Sequence, residues 1–197
     1  MEQSLLDLIV PSRTGVPALA VTADVPADAD ALAVFVTTDA DVPAELGVDR
    51  AALERAGFTA RPGTALALPA GAGPVQVAVG IGARGEWGIA GVRDAAAAFA
   101  RAVPRDGSLA VEVKDLGDLP PRDVARALVE GVLLTRHRWE RRTSTPAEAP
   151  VTTLTLVADP ALTDDVNEGV RLGLVGARVG LLARDLAPCP AQWLTAE

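Results

Sequence analysis

The sequence of 197 residues is poor in several residue types that catalytic and binding sites use. It has no tyrosine, one histidine (His137) and one cysteine (Cys189). A single cysteine excludes a disulfide within the chain and favours a reducing compartment. One histidine and one cysteine are also too few for a metal site built from these ligands. The six aromatic residues leave few side chains on which nucleic-acid bases could stack.

Signals for a membrane or for export are missing as well. The chain has no uninterrupted run of 18 apolar residues, which a transmembrane helix needs. Glu2 and Asp7 stand near its start, where a signal peptide would be cationic. Acidic residues outnumber basic ones by 26 to 18, for a net charge of −8, and a negative surface repels phosphate backbones and anionic lipids. We therefore expect a cytoplasmic protein without a membrane partner, and nucleic acid is not favoured as a partner.

Short apolar runs alternate along the chain with longer segments of helical periodicity. Strands are predicted at 16–21, 31–37, 64–68, 75–81, 108–113 and 151–157. Helices are predicted at 48–56, 89–102, 120–138 and 163–187. The loop between the third and fourth strands is rich in proline and glycine, which predicts a hairpin. Strands interleaved with helices predict one α/β domain with a mixed sheet covered by helices.

The predicted helix at 163–187 contains four glycines: Gly169, Gly173, Gly176 and Gly180. Thr163 is placed to cap its start, and Pro188 follows its end. Each interior glycine costs about 1 kcal/mol of helix stability relative to alanine. We expect close packing against a neighbouring backbone to hold this helix, and we interpret the glycine-lined helix as the junction with a further domain.

The segment Gly80-Ile-Gly82-Ala-Arg-Gly85 matches the G-x-G-x-x-G pattern of dinucleotide-binding loops. It follows a predicted strand and precedes a predicted helix, as that pattern requires, and Glu112 or Asp115 could hold a ribose. Backbone N–H groups of Gly80, Gly82 and Gly85 could then bind the phosphate of a nucleotide. The other interpretation is a plain strand-to-helix turn, because the helix begins only several residues later and no second mononucleotide half is visible.

The remaining chemistry-bearing residues form no recognisable active site. His137 lies among arginines at the end of a predicted helix, with Glu140 as the nearest acid, and we interpret this segment as a solvated helix end. The same arginines could bind a phosphate. The acidic pairs at 28 and 30, at 39 and 41, and at 164 and 165 are typical of loops and helix caps. The sequence therefore indicates no catalytic residue and no metal site.

Three segments together resemble the N-terminal domain of the M17 leucyl aminopeptidases. Val79-Gly-Ile-Gly82, followed by Val92-Arg-Asp-Ala-Ala-Ala-Ala98, is similar to the family's glycine turn and alanine-rich helix. Glu130-Gly-Val-Leu-Leu134, leading to His137-Arg-Trp139, is similar to its Glu-Gly-x-x-Leu segment. Gly176-x-x-x-Gly180-x-x-Ala-Arg-Asp-Leu186 is similar to its entry into the catalytic domain. The resemblance covers most of the chain from residue 30 onward.

The resemblance implies an α/β fold with a macro-like mixed β-sheet flanked by helices, plus a C-terminal linker helix. It implies an N-terminal domain at 1–160, the linker helix at 161–187, and the start of a missing catalytic domain at 188–197. In this family the catalytic domain removes N-terminal residues from peptides with two divalent metal ions, Mn or Zn, and the enzyme is a hexamer. The signature of that domain is absent from this sequence, so no catalytic residue, metal ligand or cofactor is assigned to this chain.

Two functional hypotheses follow from these patterns. The first, which we favour, is the non-catalytic N-terminal domain of a leucyl aminopeptidase, serving assembly or regulation. Its partners would be its own catalytic domain and further copies of the chain, with peptides bound by the parent enzyme. The alternative is a stand-alone macro-like domain that binds a nucleotide or ADP-ribose at Gly80, Gly82 and Gly85. A degenerate relative that keeps only the interaction domain is a third possibility.

Overall fold

The computed structural model describes residues 10–69, 71, 73–113, 118–137 and 149–189. Within these ranges, six strands form one sheet in the order β1-β6-β5-β2-β4-β3. The strands are β1 (Ala18–Thr22), β2 (Ala31–Thr37), β3 (Ala65–Ala67), β4 (Val75–Gly82), β5 (Ser108–Glu112) and β6 (Thr153–Val157). Neighbouring strands are parallel except β3 and β4, which pair antiparallel.

The described ranges also contain four α-helices. They are α1 (Arg50–Arg55), α2 (Ile89–Ala102), α3 (Pro121–Thr135) and α4 (Thr163–Leu186). Short 3-10 turns lie at Pro11–Arg13, Ala44–Leu46 and Pro160–Leu162. None of the helices in the described ranges has the length and apolar character needed to cross a membrane. The predicted mixed α/β architecture with a C-terminal helix is confirmed.

The central strand β2 is buried on both faces of the sheet. Ala31 and Ala33 face the larger core, to which α2, α3 and α4 contribute. Leu32, Val34 and Val36 face the second core, to which α1 contributes. This alternation follows from the two-residue period of a strand. An unbroken apolar run is typical of a parallel strand that is covered on both sides.

Most predicted boundaries agree with the structure, and one predicted helix cap does not. The bounds of β2 and α2 coincide with the prediction, and β3 and β4 form the predicted hairpin. Thr163 is the first residue of α4 and not its cap, because Leu162 takes that position. The prediction is wrong because the 3-10 turn at Pro160–Leu162 leads directly into the helix. The carboxylate of Asp159 caps that turn by accepting a backbone N–H at 2.8 Å.

The glycine face of α4 consists of Gly169, Gly173, Gly176 and Gly180. A Cβ atom on Gly169 would lie 2.2 Å from the carbonyl oxygen of Arg122, and one on Gly173 would lie 2.8 Å from that of Arg126. The backbones of α3 and α4 therefore approach more closely than larger residues would permit. The expected close packing is confirmed. The backbone of α3, in the same domain, fills the glycine face. The interpretation of this helix as the junction with a further domain stays a prediction.

Candidate functional site

The glycine turn (residues 80–85) joins β4 to the loop before α2. Two of its N–H groups are bonded inside the protein: that of Gly80 donates to the carbonyl oxygen of Thr64 at 2.8 Å, and that of Gly82 to Ala60 at 3.0 Å. Gly82 and Gly85 have φ angles of +81° and +80°, which favour glycine. A Cβ atom on Gly80 would lie 2.3 Å from a backbone carbonyl oxygen. Each glycine of the pattern therefore has a structural reason to be there.

A carboxylate of the protein already lies at the glycine turn. Both side-chain oxygens of Asp39 accept the backbone N–H of Arg84, each at 3.1 Å. A phosphate at this N–H would stand beside the Asp39 charge, and like charges repel. Of the two acids considered for a ribose, Glu112 ends β5, whereas Asp115 lies outside the described residues. Nucleotide binding at the glycine turn stays a prediction, and this geometry does not favour it.

A cleft of about 320 Å³ opens where β2, β4 and β5 end. The chain crosses here from β4 over β2 to β5, and open α/β sheets commonly bind ligands where the carboxyl ends of such strands meet. The apolar part of its lining includes Val34, Phe35, Ile81 and Trp87. The charged part consists of Asp41, Glu45, Arg84 and Glu112.

Hydrogen bonds hold the segment that follows β2, which forms the rim of the cleft. The guanidinium of Arg50 donates to the carbonyl oxygens of Thr37, at 2.8 Å, and Ala40. The N–H of Ala40 donates to the hydroxyl of Thr37 at 3.1 Å. The N–H of Thr38 donates to the carbonyl oxygen of Gly82 at 3.0 Å. The rim is thereby tied to α1 on one side and to the glycine turn on the other.

His137 follows the end of α3 and lies against α4, so the expectation of a solvated helix end is wrong. Its side chain is 11% exposed, and its Nε2 lies 3.3 Å from Oδ1 of Asp185. The two atoms are not aligned for a hydrogen bond. Burial lowers the pKa of His137 below its ordinary value, Asp185 opposes this, and Arg184 adds to it. Burial of this side chain therefore favours the neutral form of His137.

Asp185 is a buried carboxylate that sequence reasoning did not single out as a site residue. Its side chain has no solvent exposure, and its Oδ2 accepts the backbone N–H of Ser12 at 3.0 Å. Asp185 thus joins the last turn of α4 to the 3-10 turn at Pro11–Arg13. The sequence feature that could have pointed to Asp185 is its position in the Ala-Arg-Asp-Leu segment that resembles the family. These contacts give Asp185 and His137 a structural role.

Arg136 is buried beside His137 and is not available to an external phosphate. Its guanidinium donates to carbonyl oxygens of the α2 end, the following loop and the segment before β6, namely those of Ala100, Val103, Pro104, Asp106 and Ala149. The expectation of a phosphate-binding patch is therefore wrong for Arg136. The other arginines of that patch, with Glu140, lie outside the described residues.

Glu130 of α3 is another buried acid, with a side chain that is 8% exposed. It accepts hydrogen bonds from Nε of Arg93 at 2.9 Å and from Nε of Arg126 at 2.8 Å. Burial acts to raise the pKa of Glu130, but the hydrogen bonds and charges of the two arginines lower it below its ordinary value. In the described part of the chain, no three histidine, cysteine or acidic residues come together as metal ligands could.

Helix α4 exposes an apolar stripe formed by Val175, Val179 and Leu182. Their exposed fractions are 53%, 66% and 43%. Spacings of four and three residues place them on one side of the helix, away from the glycine face. Contiguous exposed apolar side chains are typical of a contact surface.

Comparison with solved structures gives matches to aminopeptidases and related enzymes. The bottromycin maturation enzyme BotP is 35% identical, with a TM-score of 0.69, and the match covers 85% of this chain and 34% of that chain. Its complex with Mn is 34% identical, with a TM-score of 0.68 and coverage of 85% and 33%. A mutant of tomato leucine aminopeptidase is 18% identical, with a TM-score of 0.68 and coverage of 91% and 40%, and shows the fold alone.

The chain spans about a third of the length of the BotP chains that it matches. A search of curated protein sequences finds no match. Residues 40–146, just over half of the chain, match the model described as the cytosol aminopeptidase family, N-terminal domain. The chain therefore belongs to the cytosol aminopeptidase family, as a form of its N-terminal domain.

Proposed function

We propose that this chain is the non-catalytic N-terminal domain of a leucyl aminopeptidase, and that it serves assembly or regulation of the catalytic part. The observation that carries the proposal is the apolar stripe on α4, which stays exposed while Val166, Gly169, Gly173 and Ala177 of the same helix pack on its own domain. Covering such a stripe with a second apolar surface is favourable. A catalytic domain is the partner that membership of the family suggests.

The proposed arrangement divides the chain as the resemblance does. Residues 1–160 form a macro-like N-terminal domain, residues 161–187 a linker helix, and residues 188–197 the start of the path into a catalytic domain. Helix α4 supports this division, because it follows the last strand of the sheet and carries the exposed stripe. The parent enzyme is proposed to be a cytoplasmic hexamer.

Peptide hydrolysis in the proposed parent takes place on the catalytic domain, with two divalent metal ions, Mn or Zn. The described residues of this chain do not fit such a centre. Glu130 is engaged by two arginines, and Asp185 accepts the N–H of Ser12 beside His137. We therefore assign no catalytic step to this chain.

The experiment that tests the proposal first is the mass of the native polypeptide in its source cells, measured by blotting with an antibody raised against this chain. A band much larger than the 20.2 kDa of this chain supports a catalytic domain on the same polypeptide. A band at this mass contradicts that arrangement, and a catalytic domain would then have to be a separate subunit.

Variants of the apolar stripe test the contact itself. In the full-length enzyme, Val179→Asp is expected to lower kcat/KM or to break up the assembly, because it places an unpaired charge in an apolar interface. Val16→Asp is the matched control, since Val16 is exposed by 39% outside α4. Both variants of the isolated chain should keep the Tm of the wild type. Equal activity and assembly in the two full-length variants would contradict the proposed contact.

The isolated chain is expected not to hydrolyse leucyl-p-nitroanilide when Mn²⁺ is added. Hydrolysis that stays with the chain through purification would contradict the non-catalytic assignment.

A further inference from the structure

The apolar stripe on α4, formed by Val175, Val179 and Leu182, has the spacing of a surface that packs against another helix. We propose that its partner is an amphipathic α-helix that carries an apolar stripe of its own, with acidic side chains beside that stripe. This inference rests on the proposed function, in which the catalytic domain supplies the partner. It deepens that function by naming the kind of surface that the partner presents.

Apolar residues recur along the second half of α4 at alternating intervals. The intervals are three, four, three and four positions, between Leu172, Val175, Val179, Leu182 and Leu186. This alternation keeps the side chains on one narrow line of the helix surface, as in helices that pack side by side at a shallow angle. The spacing therefore favours a helix as the partner.

The line faces away from the domain that contains α4. The three residues of the apolar stripe are its exposed part, whereas Leu172 and Leu186 at its two ends are half-buried. Val166 and Ala177, which belong to the larger core, lie on the opposite side of the helix. A second helix can therefore pack on the stripe without displacing the contacts that α4 makes within its own domain.

Basic side chains lie beside the stripe, although the chain as a whole has a net charge of −8. Arg171, Arg178 and Arg184 are exposed in the half of α4 that carries the stripe. The acid of that half, Asp185, has no solvent exposure. An acidic partner therefore complements the charge around the stripe.

Arg178 is the arginine that is available to such a partner. Arg171 is paired with Glu168 at 2.8 Å, and Arg184 donates to the carbonyl oxygen of Leu134. Arg178 makes no hydrogen bond or ion pair with another residue of the described ranges, and its position directly before Val179 places it on the flank of the stripe. Side chains at such flanking positions pair with charges on the facing helix.

Two other partners fit these observations less well. A second copy of the chain would bring the same arginines to the contact, and like charges repel. A lipid surface that is anionic would be repelled by the net charge of −8. The stripe also lacks the large aromatic side chains that are common in helices lying on a membrane.

Two synthetic helical peptides test the proposal on the chain of 197 residues. Both carry leucines at the same alternating intervals, flanked by glutamates in one peptide and by lysines in the other. Fluorescence anisotropy should show saturable binding of the glutamate peptide at up to about 1 mM. The lysine peptide should bind about twofold to fivefold more weakly, because it cannot pair with Arg178. No saturable binding of the glutamate peptide would overturn the proposal.

Variants then assign the binding to the stripe and to its basic flank. Val179→Asp should weaken the binding of both peptides by about tenfold or more, whereas Val16→Asp, outside α4, should not. Arg178→Glu should reverse the preference between the peptides. Arg101→Glu, at an exposed residue of α2, changes the net charge equally and should keep the preference of the wild type. All four variants should keep its Tm. An unchanged preference in Arg178→Glu would overturn the acidic partner.

Two further measurements distinguish the other partners. In the first, the wild-type chain sediments as a dimer and Val179→Asp as a monomer, which would place a second copy on the stripe. In the second, the chain binds vesicles of anionic phospholipid and loses that binding in Val179→Asp, which would place a lipid surface there. Either result would overturn the acidic helical partner. The expected result is a monomer that does not bind the vesicles.

Failure of this inference can be told apart from failure of the proposed function. If neither peptide binds the chain although Val179→Asp impairs the full-length enzyme, the contact with the catalytic domain holds and the helical partner is wrong. If the glutamate peptide binds although Val179→Asp leaves the activity and assembly of the full-length enzyme unchanged, the stripe binds a helix and the proposed function is wrong.

Discussion

Nε2 of His137 and Oδ1 of Asp185 lie 3.3 Å apart, with side chains that are 11% and 0% exposed. The two residues are 48 positions apart in the sequence, and they meet because α3 and α4 end at the same place. Asp185 also binds the N–H of Ser12. The ends of two helices and the turn at Pro11–Arg13 are therefore joined at one buried pair of side chains.

This pair predicts a pH dependence of stability. Burial lowers the pKa of His137 in the folded chain below its ordinary value of 6.5, so the unfolded state binds more protons as the pH falls. The free energy of unfolding therefore keeps its full value above pH 6.5. It decreases as the pH falls from there through the pKa of His137 in the folded chain. The free energy of unfolding, measured in urea at about pH 7.5 and about pH 5.5, should be lower at the acidic value. His137→Gln cannot take up this proton and should show a smaller difference. An equal difference between the two pH values in the wild type and in His137→Gln would refute the assignment of this pH dependence to His137.

The glycine face predicts opposite effects for two glycine-to-alanine substitutions in helices. Gly169→Ala should destabilise the chain by about 1–3 kcal/mol, because its Cβ would overlap the backbone of α3. Gly91→Ala in α2, where a Cβ meets no atom within 4 Å, should stabilise it by about 0.5–1 kcal/mol. Thermal or chemical unfolding of both variants measures this. Destabilisation of equal size in the two would contradict the packing described for α3 and α4.

The buried carboxylate of Glu130 predicts a second stability difference. Glu130→Gln removes the charge that two arginines face and should cost about 1–3 kcal/mol, as for a charged hydrogen bond lost in the interior. Glu168→Gln is the matched control, because Glu168 pairs with Arg171 at 2.8 Å on the exposed side of α4. The control should change the free energy of unfolding far less. Similar losses in both variants would show that burial of Glu130 is unimportant.

The glycine turn predicts no rise of Tm when ADP-ribose or NAD is added. The N–H groups of Gly80 and Gly82 are bonded to carbonyl oxygens, and that of Arg84 is bonded to Asp39. A diphosphate would have to displace these bonds. A saturable rise of Tm with either ligand would instead favour the nucleotide-binding alternative.

The fold could be predicted well because its signals are local. The apolar run of β2 and the periodicity of α2 appear in consecutive residues, and proline or glycine stands near their ends. Strand and helix periods of 2 and 3.6 residues make such patterns readable without a partner. The first residue of α4 agrees with the prediction, but its cap does not, because the 3-10 turn before the helix looks, in sequence, like a loop that ends at Thr163.

The surroundings of the polar residues could not be predicted in the same way. His137 stands among arginines in the sequence, which is typical of a solvated segment. Its side chain lies beside Asp185 of α4, which is 48 residues away in the sequence. The G-x-G-x-x-G pattern left both a ligand loop and a plain turn open. It does not contain Asp39, which lies 45 residues from Arg84 and accepts its N–H.

The sequence alone determined the class of fold, the positions of most strands and helices, and the family, because these depend on patterns along the chain. It also established that the helix at the end of the described chain needs a close neighbour, since four glycines weaken it. Only the tertiary structure decided that this neighbour is α3, that Val175, Val179 and Leu182 stay exposed, and that Arg84 and Glu112 face one cleft. The physical reason is that burial and charge pairing are properties of contacts between segments distant in the chain.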